Sequence, residues 1–255
     1  MSTKRPGDQA AVRLAAIADV SVWERVEAQQ KKVTSSIKNL DDLTAKCETL
    51  GSKLQEKKGK SSSCISKEEL LEIVIEWKFA VGKPRRALMK FLHSNSDNDV
   101  QTYSTNAISK AKAILLPADE TKKLDDDRIK EASQELTLLK GVGPATASAV
   151  LTLVRPDVFC YMYDEVIDCF LPKRTYTLPV YLEINRECRN IAKQLPGWNA
   201  ARVARALWVA ARICASGGED HTLSESPPKR EADSQAKASG TRTSKRRKQE
   251  WKNQN

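Results

Sequence analysis

The stretch LKGVGPATASAVL, Leu139 to Leu151, sets Gly141 and Gly143 on either side of Val142, then adds Pro144 and an apolar helical pattern. Glycine permits positive φ and lets another group approach the backbone closely. The amides of Lys140, Gly141, Val142, Gly143, Ala145 and Thr146 fall around the start of a new helix. Unpaired N–H groups and the helix dipole favour an anion such as phosphate there. Lys140 adds positive charge, Thr146 and Ser148 add hydroxyls, and Val142 is placed to plug into the core. A tight corner between two packed helices accounts for the same residues without any ligand.

Acids follow. In RPDVFCYMYDEVIDCF, Pro156 breaks the preceding helix and Asp164 begins the next, with Glu165 beside it. An aspartate at that position caps a helix. In a partly dry pocket it can also stabilise a developing positive charge or activate a water. Adjacent acids can raise one another's pKa, or serve as one cap and one exposed first-turn charge.

Lys78, Lys83, Arg85 and Arg86 cluster where one helix ends and another starts. They can contact a second phosphate, line a pocket, or form a solvated basic face. Arg202, Arg205 and Arg212 recur along the last helix, and at least two share a face. They can pair with Asp164 or Glu165, or point at a polyanion. Tyr161, Tyr163 and Trp208 are candidates for a pocket wall, although core packing explains them as well. Trp77 is expected in the core.

Helices must position all of these groups. Ser21 is expected to cap a helix beginning at Val22, with Glu24 as its capping-box partner. Ser66 and Glu69 form a second S-x-x-E box ahead of the apolar run LLEIVIEW. Gly82 can end that helix and Pro84 can occupy the first turn of the next. Helical patterns recur over Asn106–Leu115, Asp126–Leu139, Pro144–Val154, Asp164–Phe170, Leu178–Leu195 and Ala200–Ala215. No period-2 strand pattern and no internal repeat is visible. The expected fold is all-α, with about eight or more helices joined by short loops.

The chain carries 43 Lys and Arg against 33 Asp and Glu, a net charge of +10 over 255 residues. That balance is a footprint of polyanion binding, and also of plain solubility. No apolar run is long enough to span a bilayer, and MSTKRPGDQAAVRL lacks a secretory pattern, so an intracellular location is expected. The six cysteines form no C-x-x-C pair, and only His93 and His221 accompany them. Structural zinc and iron–sulfur ligation are therefore not expected, and the thiols read as small buried apolar groups. Residues 1–19 read as a partly disordered arm and 20–215 as the folded domain. Residues 216–255 are poor in apolar groups and read as a disordered basic tail. Within that tail, Lys229-Arg230 and KRRK at Lys245–Lys248 read as a bipartite nuclear localisation signal or a nucleic-acid tail, and a plain solvated tail accounts for them too.

The segment LTLLKGVGPATASAVL resembles a helix–hairpin–helix motif through Leu136, Leu139, Gly141, Val142, Gly143, Ala147 and Leu151. In that motif the hairpin amides hold a DNA backbone phosphate without reading sequence, often with a monovalent cation, here at Leu138 to Gly143. Phosphate contacts of this kind position a protein on DNA and do not specify a base. With Asp164 downstream, the arrangement resembles the helix–hairpin–helix DNA glycosylase superfamily. The resemblance implies a glycosylase-like helical fold, base flipping, and Asp164 assisting cleavage of the glycosidic bond. Bifunctional members carry a nucleophilic lysine where this chain has Ala145, so Schiff-base chemistry is not implied at that site. Lys140 replaces the usual proline before the first glycine. Glu165 adds an acid where many members have another polar residue.

The resemblance extends to a widespread, largely uncharacterised eukaryotic family. Its W-K-x-x-x-G-K-x-R-x-x-L block is similar to LLEIVIEWKFAVGKPRRALMKFLHSN, and ALWVAAR and Trp23 match as well. It spans roughly residues 20 to 215. Three functions compete: a monofunctional glycosylase on damaged DNA, a DNA-binding module without chemistry, and an interaction protein using the hairpin only for packing. DNA is the expected partner, with no membrane, no resident cofactor and a monomeric state.

Overall fold

In this computed structural model, residues 6–56, 64–116 and 126–215 are described. The first helices are α1 (Pro6–Ala15), α2 (Val20–Ala28), α3 (Gln30–Ser35) and α4 (Leu40–Gln55). A π-helical stretch, Glu69–Ile75, runs straight into α5 (Glu76–Val81). A 3-10 turn, Arg86–Leu88, precedes α6 (Met89–His93), and α7 spans Asp97–Lys112. The remainder is α8 (Asp126–Thr137), α9 (Pro144–Val154), α10 (Asp164–Phe170), α11 (Leu178–Gln194) and α12 (Ala200–Ala215). No strand occurs among the described residues, so the fold is all-α there. No described helix is long and apolar enough to cross a membrane.

α12 is the hub. It buries Val203, Ala204, Leu207, Trp208 and Ala211, and α1, α2, α3, α10 and α11 pack around it. Its small alanines let neighbours come close. α1 approaches tightly: a Cβ on Gly7 would lie 2.6 Å from the Ala211 carbonyl oxygen. Glycine therefore admits this contact, and Ala10, Ala11 and Leu14 are buried behind it. Residues 6–15 are thus a docked helix where the sequence reading expects an arm. The tail beyond Ala215, with both basic clusters, lies outside the described residues.

Caps explain several boundaries. α2 starts at Val20 because Asp19 accepts from the Ser21 amide at 2.9 Å. The expected Ser21–Glu24 box does not form, since the aspartate two residues earlier takes the donor first. The Ser66–Glu69 box does form, with reciprocal bonds of 2.8 and 3.0 Å. α7 begins before the apolar pattern suggests, because Ser96 and Asp99 make a capping box ahead of a polar first turn. Arg155 closes the other end of α7 with Nη1 on the Ile114 carbonyl at 2.9 Å, while Asp157 holds its Nε at 2.8 Å.

The core is continuous. Trp23 is fully buried, meets Trp198 edge-on at 5.5 Å, and donates from Nε1 to the Ile17 carbonyl at 2.8 Å. Cys47, Cys160, Cys169 and Cys188 are buried, Cys64 and Cys214 less so, and no disulfide joins any of the six.

Candidate functional site

α8 and α9 meet through a turn whose parts have separate duties. Leu139 and Val142 are buried, and the Val142 amide donates to the Leu139 carbonyl at 3.1 Å. Val142 is therefore a core plug whose amide is engaged, and it offers nothing to a ligand. Gly141 has φ +78°, and a Cβ there would sit 3.1 Å from Leu92 Cγ and 3.2 Å from the Leu92 amide nitrogen. Conformation and space both demand glycine at this position.

Gly143 differs. Its φ of −108° and ψ of −177° suit any residue, and a Cβ there meets nothing within 4 Å. Protein packing does not require a glycine at Gly143, and the residue borders an open cleft. Its carbonyl accepts from the Thr146 and Ala147 amides at 2.9 and 3.0 Å, starting α9. Among the described residues nothing accepts from the amides of Gly141, Gly143 or Ala145.

Asn95 anchors the turn from outside. It is 5% exposed, and its Nδ2 donates to the Lys140 carbonyl at 3.0 Å while its Oδ1 accepts from the Lys140 amide at 2.9 Å. Within the stretch assigned above to a cation, the Leu139 and Lys140 carbonyls thus already accept one bond each. The Lys140 side chain is exposed and does not line the cleft.

The loop leading to Asp164 is buried from Val158 to Tyr163, and buried backbone needs partners. Asn185 supplies two, accepting from the Cys160 amide at 2.8 Å and donating to the Val158 carbonyl at 3.0 Å. Ser148 supplies another, accepting from the Met162 amide at 3.1 Å and donating to the Ala145 carbonyl at 3.0 Å. This hydroxyl ties the hairpin's second helix to the loop, so it is not a phosphate ligand. Thr146 is buried yet borders the cleft.

Asp164 is the first residue of α10, and Tyr163 occupies the cap position without a side-chain bond. The carboxylate is held by groups further along the chain. Arg174 Nη1 donates to Oδ2 at 2.8 Å and the Tyr176 hydroxyl donates to Oδ1 at 2.7 Å. Arg174 also pairs with Asp168. Burial, and then donation to Asp164, push the Tyr176 pKa upward, so the phenol keeps its proton.

Hairpin and acid share one space. A cleft of about 440 Å³ is bordered by Gly141, Gly143, Ala145 and Thr146, and also by Asp164, Arg174 and Tyr176. Lys78, Lys83 and Arg85 border it too. Arg85 lays its guanidinium 4.5 Å from the centre of the Tyr176 ring. Lys78 is half-buried, and no described acid makes a salt bridge with it. Burial lowers its pKa, Arg85 lowers it further, and Asp164 opposes both. Arg86 is exposed outside the cleft.

Glu165 parts from its neighbour. Its Oε1 pairs with Arg212 at 2.8 Å, and it borders a separate cavity of about 530 Å³ beside α1 and α12. Only 14% of its side chain is exposed, so it is not the exposed first-turn charge that the sequence allows. Oε2 is buried without a hydrogen-bond partner. Burial raises the Glu165 pKa, against Arg212, with a smaller upward push from Asp164. Asp164 borders both spaces, whereas Glu165 does not border the hairpin cleft.

The α12 arginines divide as well. Arg202 and Arg205 close on Glu27 of α2, at 3.0 and 3.4 Å, and neither makes a salt bridge to Asp164 or Glu165. Tyr161 meets Trp77 at 4.8 Å and Tyr163 at 4.5 Å, and Tyr163 stacks on Trp208 at 5.5 Å. Of the three expected wall aromatics, only Tyr161 borders the cleft. Trp77 is partly buried against the core.

Sequence reasoning missed Asn95, Arg174, Tyr176 and Asn185. No known protein family, curated protein or solved structure matches this chain.

Proposed function

We propose that the protein binds DNA through the hairpin and acts as a monofunctional base-excision glycosylase of the helix–hairpin–helix superfamily. One observation carries this reading: the unpartnered amides of Gly141, Gly143 and Ala145 and the carboxylate of Asp164 border the same cleft. A backbone phosphate would take the amides, with Lys83 and Arg85 adding positive charge along the rim. A monovalent cation at Leu138 to Gly143 would assist. The flipped nucleotide would bring its sugar to Asp164, which stabilises the positive charge that develops as the base leaves. Arg174 and Tyr176 fix the carboxylate in place. The basic clusters at Lys229-Arg230 and Lys245–Lys248 support a nuclear location.

A second reading is a DNA-binding module without chemistry. It is favoured by the two donors that already occupy both oxygens of Asp164. Incubating the full chain with duplexes that carry a broad panel of damaged bases separates the two. Base release is expected, with Asp164→Asn abolishing it and leaving duplex affinity within about twofold. Binding without release of any base would leave the module reading.

A further inference from the structure

Tyr161 also lines a second cavity, of about 110 Å³, enclosed by α3, α4, α5, α9 and α12. Trp77, Tyr161, Tyr163 and Trp208 form its aromatic side, and Gln30 and the exposed Glu48 mark its rim. Tyr161 and Tyr163 are each 6% exposed and Trp208 is 2% exposed. Buried phenols and indoles ordinarily find an acceptor. Here the Trp208 Nε1 is buried without one, whereas the Tyr161 and Tyr163 hydroxyls, which are not sealed from solvent, bond to no described residue. Burial pushes both phenols upward in pKa, so they remain donors.

These features define an occupant. Aromatic walls prefer a flat ring. Donors without partners call for carbonyl or ring-nitrogen acceptors. Arg205 also lines the cavity: its charge is met by Glu27, but its Nε is buried without an acceptor. A neutral acceptor therefore suits the wall better than an ion that would lose its hydration. The volume is below the roughly 150 Å³ of an engineered apolar cavity that takes benzene, so it leaves room for no more than one ring.

We propose that this cavity is a binding site for a neutral, single-ring heteroaromatic of the pyrimidine class, held against the cluster of Trp77, Tyr161, Tyr163 and Trp208 by hydrogen bonds to its acceptors. The site does not depend on the DNA reading above. Titrating the full-length protein with uracil, benzene and adenine, followed by tryptophan fluorescence and ligand-observed NMR, tests it. Uracil is expected to bind saturably with a Kd on the order of 1 mM. Benzene should bind at least about fivefold more weakly for want of acceptors, and adenine not measurably. Tyr161→Phe and Tyr163→Phe keep both rings, so they preserve the fold. Each should weaken uracil about fivefold and leave benzene unchanged. No saturable uracil binding, equal binding of adenine, or uracil affinity unmoved in both variants overturns the assignment.

Discussion

Along α12, Arg202 and Arg205 close on Glu27, and Arg212 closes on Glu165 and on the Val81 carbonyl. Around the hairpin cleft, Lys78 and Lys83 make no salt bridge with a described acid, Arg85 stacks on a ring, and three backbone amides have no acceptor. Both regions are basic in sequence. In the first, each arginine fastens one helix to another. In the second, backbone amides fixed by the turn's own bonds are left open. Positive charge alone therefore does not mark a binding surface. What sets the proposed surface apart is a donor whose position is fixed by other bonds while its own bond is still to be made.

The largest effect should come from removing what fixes the cleft. Asn95→Ala deletes both bonds to the Lys140 backbone and leaves that amide and carbonyl without their side-chain partners. A loss of about 2–3 kcal/mol is expected in urea unfolding, together with weaker duplex binding. If stability falls and binding does not, the turn's geometry is not what holds DNA.

Gly143→Glu is the next test, because it touches the open donors and not their support. Its Cβ has free space, so the melting temperature should stay within about 2 °C. Duplex affinity should drop at least about tenfold, for any sequence, as the carboxylate occupies and repels the phosphate position. Unchanged affinity would sink the phosphate clamp. Gly141 is the wrong place for this test, since its positive φ makes any substitution a folding defect first.

The contrasting region should respond in the opposite way. Glu27→Gln removes the acid that Arg202 and Arg205 share. A loss of about 1 kcal/mol is expected, with duplex affinity unchanged. A gain in affinity on freeing the two arginines would show that the α12 face does meet DNA, and would erase the distinction between the regions.

How much of this was legible in the sequence follows from chain separation. α9, α10 and α12 begin and end where the apolar period says, because each is long or sharply punctuated by proline and glycine. The hairpin was legible because its glycines, plug and helix start are contiguous. Asp164 was visible as a helix-start acid. Its holders were not, since Arg174 and Tyr176 lie in an irregular segment after α10 whose path only the fold determines. Asn95 reaches Lys140 across 45 residues and Asn185 reaches Cys160 across 25, and no local pattern announces such pairs. α1 was misread for a related reason: its burial depends on a contact with α12, at the far end of the domain.

The smallest effect concerns Glu165, which shares a helix turn with Asp164 but not its cleft. Its carboxyl binds a proton more tightly in the folded protein than unfolded, because burial outweighs Arg212. Stability from this group is therefore full below its ordinary pKa of 4.5 and is lost as pH rises through the higher folded value. Glu165→Gln cannot ionise, so its melting temperature should decline less than that of the native chain across that window. The expected divergence is about 1–3 °C, read from thermal melts at successive pH values. Base release should keep its pH profile in the variant, because the cleft is bordered by Asp164 and not by Glu165. A shifted profile would bring the second acid into the chemistry and make the two cavities one site.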